Sequence, residues 1–238
     1  MTNEIICIDN IIVEVYRKKV KNINLRIGKD KIVTISANKK ISIKSLEKLI
    51  SSKKDWIKGN LNKIDIHQIQ NEKNESIQYV SGEELKLQGN QYKLLVLENK
   101  KNKVEIEENV IYLYTSDISS YKEKKKIIDK LIKFKAEEFF EESLMNMLDL
   151  INVYGVRRPE MKIRKMRSRW GSCNKTRNVI TINFELVKAP KDCLDYVVLH
   201  ELIHFLVSGH NKMFYNYMSI LMPDWKLRKK MLNEQHLL

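Results

Sequence analysis

The chain has 238 residues, 43% of them apolar, so it can build its own core and is too long for a peptide hormone or a disulfide-stapled mini-domain. With 7 glycines and 3 prolines it cannot be collagen, a low-complexity linker or a turn-dense all-β fold, and its three widely spaced cysteines, with no CxxC pair, exclude a zinc knuckle and fit a reducing compartment. The net charge of +14 is uneven: residues 155–191 carry 11 basic and 2 acidic groups, and five of the nine arginines, Arg157, Arg158, Arg164, Arg167 and Arg169, fall within thirteen residues.

Residues 4–36 predict strands, from the β-branched runs at Ile5–Ile8, Ile11–Val15 and Ile32–Ile35. Over 42–64 the period lengthens: Ile43, Leu46, Leu49, Ile50, Ile57, Leu61 and Ile64 predict a helix capped by Ser42 or Ser45. The polar text at 67–76 reads as a loop, followed by short strands near 77–80, 84–88, 92–97, 103–106 and 110–114. Residues 120–152 form one long amphipathic helix stopped at Gly155. Strands return within 160–187, a helix runs from Pro190 toward Gly209, and a shorter one over 211–222 ends at Pro223. No internal repeat is visible. The pattern is α+β, divided as a β-rich region with one helix (1–119) and a helix-dominated region (120–238). No apolar run is long enough to cross a membrane, and the start MTNEIICIDNIIVEV has no basic segment leading an apolar one, so the expectation is a soluble cytoplasmic protein without a signal peptide.

The decisive text is His200-Glu201-Leu202-Ile203-His204. Residues four apart share one helix face, so two imidazoles there grip one metal ion while Glu201, one step round, reaches a water on it. Neutral imidazole is a good zinc donor, and the carboxylate takes the proton and passes it to the leaving group. A catalytic zinc needs a third ligand and an open position. His210 is the candidate, because Gly209 breaks the helix just before it; Asp224, Glu185 and Asp195 are fallbacks. His67 and His236 sit in polar text and read as solvated.

Arg169-Trp170-Gly171-Ser172-Cys173, a strand ending near Phe184, HELIH with a further His six residues on, and Met222-Pro223-Asp224-Trp225 together resemble the YgjP-like metallopeptidases, small zincins related to the SprT-type proteases. The specific motifs lie in 155–235; Lys21–Arg26 and Trp56-Ile57 match more loosely. Asp30-Lys31, Ala37-Asn38 and Asn211 depart from the family pattern. The resemblance implies a zincin-like catalytic region with a strand edge beside the HExxH helix, one zinc ion on His200, His204 and His210, and Glu201 as general base.

The RWGSC strand could run along the metal cleft and pair with an extended peptide, Gly171 permitting close backbone approach; the alternative is a core Trp170 and a bulge at Gly171. Cys173 has no neighbour in sequence that would activate it as a nucleophile. A phenol at Tyr215 or Tyr217 could donate to an oxyanion, or could merely flank a buried face of Phe214, Met218 and Leu221. Arg164, Arg167 and Arg169 could hold an acidic substrate beside the metal or form a solvated face. The leading reading is a zinc metallopeptidase acting on peptide or protein. The alternatives are a metal-dependent nucleoside triphosphate pyrophosphatase, which related sequences and the basic surface suggest, and a protease recruited to nucleic acid.

Overall fold

The computed structural model describes residues 3–9, 11–28, 30–75, 77–235 and 237, and at 3, 63 and 66–75 the backbone alone. The readings of His67 and His236 therefore lie outside the described side chains. The chain divides into two compact units, Met1–Glu75 and Ser76–Leu238.

In the first unit β1 (Asn3–Ile8) and β2 (Ile11–Arg17) form an antiparallel hairpin, while β3 (Asn24–Ile27) and β4 (Val33–Ala37) form a second. β2 and β4 pair in parallel, giving the order β1-β2-β4-β3. Val13 and Val15 of β2 and Val33 and Ile35 of β4 turn inward and bury against Leu46, Ile50 and Ile57. The last three lie on α1 (Ile43–Ser52) and α2 (Lys54–Glu75), the first helix capped by the Ser42 side chain. The break at Lys53 divides what periodicity reads as one helix, and the polar text of 67–75 extends α2 instead of forming a loop. Gln, Glu and Lys favour helix when no Gly or Pro interrupts them.

The second unit opens with the same arrangement. β5 (Glu84–Leu87), β6 (Asn90–Glu98), β7 (Lys103–Glu107) and β8 (Val110–Thr115) order as β5-β6-β8-β7, with two antiparallel hairpins joined by parallel pairing of β6 and β8. A strand topology is thus repeated where the residues show no repeat. Residues 77–80, expected as a strand, carry no regular structure.

The helix α3 (Tyr121–Ile151), capped by Ser120, follows, and its buried stripe includes Ile128, Leu131, Phe140, Leu144 and Leu148. A 3-10 turn leads to Gly155 in the left-handed region, where the chain leaves the helix. Leu85, Leu94, Ile111 and Leu113 of the β5–β8 sheet share one core with α3 and the apolar residues around HExxH, so these strands belong with the back half and a boundary at 119 would cut through a single core.

A third sheet of β9 (Glu160–Arg164), β10 (Gly171–Asn174) and β11 (Val179–Asn183) has the order β10-β11-β9, which leaves β10 on an edge. α4 (Lys191–Ile203) begins directly after Pro190 and carries the HExxH text beside that edge strand. α5 (Lys212–Leu221) and a further helix, α6 (Trp225–Glu234), complete the chain. The protein is α+β, β-rich in front and helical behind. Among the described residues no helix is long and apolar enough to cross a membrane.

Candidate metal centre

α4 is buried along most of its length, from Cys193 through Leu199 and again at Glu201–Ile203. Its anchor is Asp195, whose carboxylate accepts a 2.6 Å hydrogen bond from the buried Ser143 hydroxyl of α3. Burial raises the pKa of Asp195, opposed by that hydrogen bond. Arg228 of α6 pairs with Asp192 and Asp224, tying a third helix to the start of α4. Glu185 pairs with Lys188 and Lys165. The three fallback ligands, Asp195, Asp224 and Glu185, are therefore engaged in ion pairs and hydrogen bonds elsewhere, and none joins the imidazoles.

The regular helix ends at Ile203, earlier than Gly209, yet His204 keeps helical dihedrals and lies on the His200 face. Gly209 adopts φ +75°, a conformation that suits glycine, and the reversal brings His210 back. The donor atoms of His200, His204 and His210 lie within 4.8 Å of one another, and the Nε2 atoms of His200 and His210 are 2.9 Å apart. Four nitrogens at zinc-bond length on a tetrahedron stand about 3.3 Å apart, so small adjustments would seat one ion. The donor chemistry fits zinc: imidazole nitrogens without hard oxygen ligands.

Two features orient the rings. His204 Nδ1 donates to the Val207 carbonyl at 3.3 Å, leaving Nε2 for a metal. Phe214 is fully buried, and its ring centroid stands 4.8, 4.9 and 4.8 Å from those of His200, His204 and His210. It is thus a common floor under the triad. Asn211 caps α5 by accepting from the Phe214 N–H at 3.1 Å and so fixes that floor. Burial pushes the pKa of His200 down to about 3, with the two neighbouring imidazoles adding to the effect, and burial also lowers that of His204. Neutral rings are the form that ligates metal.

Glu201 is 6% exposed and lies against Gly171 of β10; burial pushes its carboxyl up to about 7, against the pull of Arg169. Gly171 is not a bulge: it pairs with Ile182 in regular register, and a side chain there would collide with Glu201. Trp170 is half-buried against the core and does not line the cleft. Cys173 does line it, but burial, aided by the Glu201 charge, raises its thiol to about 11, far from a nucleophile.

Of the arginines, only Arg169 reaches the cleft; Arg164 and Arg167 are exposed outside it, and Arg158 pairs with Glu141. Tyr215 also stays outside, stacked on Trp225 at 5.3 Å between centroids. Ser172, in the RWGSC strand expected along the cleft, does line it; sequence reasoning missed Lys175 and Ser208, which also line the cleft, and Asn183. The fully buried Asn183 donates through Nδ2 to the carbonyls of Met166 and Arg169, both at 2.9 Å, and accepts from the Met166 N–H at 3.2 Å. It pins the loop that delivers Arg169 to the site. A polar residue ending an apolar strand was the available signal.

A family model described as YgjP-like, metallopeptidase domain, matches residues 21–235. None of the curated proteins matches the chain. Among solved structures it is similar to the metallopeptidase zymogen jannalysin of Methanocaldococcus jannaschii, at 19% identity and TM-score 0.36, with 40% of this chain and 88% of that one covered. It is also similar to the metallopeptidase zymogen abylysin of Pyrococcus abyssi, at 20% identity and TM-score 0.35, with 40% and 90% covered.

Proposed function

The chain belongs to the YgjP-like metallopeptidase family, and from that premise we propose that it hydrolyses peptide bonds with one zinc ion held by His200, His204 and His210. The observation that carries the reading is the convergence of three imidazole donors within 4.8 Å, beside a buried carboxyl at the next helix position. When bound, zinc polarises a carbonyl oxygen and brings the pKa of water toward ~7.

The chain's own residues do the rest. The outer edge of β10 offers backbone groups to an extended peptide, which places its scissile bond over the imidazoles. Glu201 accepts the proton of the attacking water and delivers it to the departing amine nitrogen. A carboxyl with a raised proton affinity suits both transfers. A nucleotide or nucleic-acid substrate is less well served by this site, because phosphoryl transfer commonly uses magnesium on oxygen ligands and the donors here are nitrogens. The three unpaired cysteines suit a reducing cytoplasm.

The test is Glu201→Gln in zinc-loaded protein, with bound metal counted by mass spectrometry and cleavage followed on an unstructured polypeptide. The variant is expected to keep one zinc and its melting temperature while turnover falls by about 10²–10⁴-fold. Undiminished turnover would remove Glu201 from the mechanism. Polypeptide left intact by the zinc-loaded wild type would remove the peptidase reading.

A further inference from the structure

The cleft over the imidazoles has a volume of about 410 Å³. Apart from the three histidines and Glu201, its walls are small or polar groups, including Ser172, Cys173 and Ser208, and two cations, Arg169 and Lys175. None of its lining residues has a large apolar side chain, so a substrate residue entering it meets no hydrophobic slot. It meets positive charge instead. Arg169 precedes β10 and Lys175 follows it, one cation at each end of the edge strand. Neither makes an ion pair with an acidic side chain among the described residues. The acid Arg169 senses is Glu201, which is buried.

The root of Arg169 is held in place. Its carbonyl accepts from Asn183 Nδ2 at 2.9 Å, and the next carbonyl, of Trp170, accepts from the Asn183 N–H at 2.8 Å. A guanidinium mounted on a pinned loop loses less freedom when it forks onto a carboxylate than one on a free loop. A lysine at the far end adds a point charge of the same sign. The hydroxyls of Ser172 and Ser208 line the same cleft and can donate to a substrate oxygen there.

We propose that Arg169 and Lys175 are carboxylate-binding positions, one at either end of β10, so that the peptides this protein cuts carry an acidic group next to the scissile bond. The inference rests on the peptidase reading and names the substrate class of that site. The carboxylate has two sources, an internal Asp or Glu side chain or the peptide's own C-terminus, and the same guanidinium would bind either.

The zinc-loaded protein is assayed on internally quenched peptides blocked at both ends, with one Glu, Gln, Ala or Lys placed in turn at each position flanking the cut. A parallel set leaves the C-terminus free. We expect kcat/KM for the best Glu peptide to exceed that of its Gln partner by about tenfold, the scale of one partly exposed charge pair plus its hydrogen bonds. Arg169→Glu is expected to invert the order in favour of Lys at one flank with zinc content unchanged. Lys175→Glu should do so at the other flank, and it serves alone if the first variant does not fold. A preference confined to free C-termini supports the subsite and assigns it the terminal carboxylate.

Equal rates for Glu and Gln at every position together with equal rates for free and blocked C-termini, or an acid preference that survives both charge reversals, would overturn the proposal while leaving the peptidase reading intact. Binding gives an arm independent of turnover. Fluorescence anisotropy with zinc-loaded Glu201→Gln protein should show the preferred carboxylate, a Glu side chain or a free C-terminus, held about tenfold more tightly than its Gln or blocked counterpart, and equal affinity in both comparisons would again reject the subsite.

Discussion

Replacing Gly171 with alanine inserts one methyl group between β10 and the α4 helix that carries Glu201. A Cβ built at that position lies 2.6 Å from Glu201 Oε1, 2.7 Å from Cγ and 2.9 Å from Cδ. Carbon atoms in good contact stand about 3.5 Å apart, so the deficit at Cγ is about 0.8 Å. The carboxyl end of a free glutamate could swing aside cheaply. Cγ is only two bonds from the helix backbone, however, and Glu201 is 6% exposed, so the whole side chain must change rotamer or the strand must retreat. Overpacking of this kind costs about 1–3 kcal/mol, partly offset by the ~0.5–1 kcal/mol gained when glycine in a strand becomes alanine. The net loss of stability is thus small, about 0–2.5 kcal/mol. The catalytic loss is larger: a carboxylate misplaced by about 1 Å costs about 10²-fold in rate. Measured on a quenched peptide, kcat should fall by about two orders of magnitude, while bound zinc remains at one per chain because no imidazole is touched. Activity within about twofold of wild type would show that Glu201 does not need its present position, and the geometric argument for it would fail.

The other predictions concern the supports of the site. Phe214→Ala removes the floor shared by three imidazoles and is expected to cost about 3–5 kcal/mol and to weaken zinc retention against a chelator; full retention in a folded variant would deny the floor its role. Asp195→Ala strands the buried Ser143 hydroxyl and should cost about 1–3 kcal/mol by chemical denaturation. Adding Ser143→Ala to that variant should cost less than it does alone, and strictly additive losses would show that the two groups are not coupled.

The parts of the site that the residues disclosed share a physical reason. HExxH is legible because helical spacing converts four positions of sequence into one face, and Gly209 is legible because only a reversal could return His210 to the pair. The stripe of α3 is equally plain, since its apolar residues recur at helical steps from Ile128 to Ile151. What stayed hidden depended on partners distant in sequence. Asn183 acquires its role only when the loop before β10 folds over it. Arg164, Arg167 and Arg169 look equivalent as text, yet one strand boundary sends only the last to the cleft. The polar end of α2 and the whole of α6 carry too few apolar residues for their period to show. Tyr215 followed the buried-face alternative, drawn away by Trp225.

The two sheets β1–β4 and β5–β8 wind by one rule, and each is sealed by a core of its own. Two different apolar sets thus satisfy one winding: the fold dictates which strand pairs with which and leaves the choice of core side chains open.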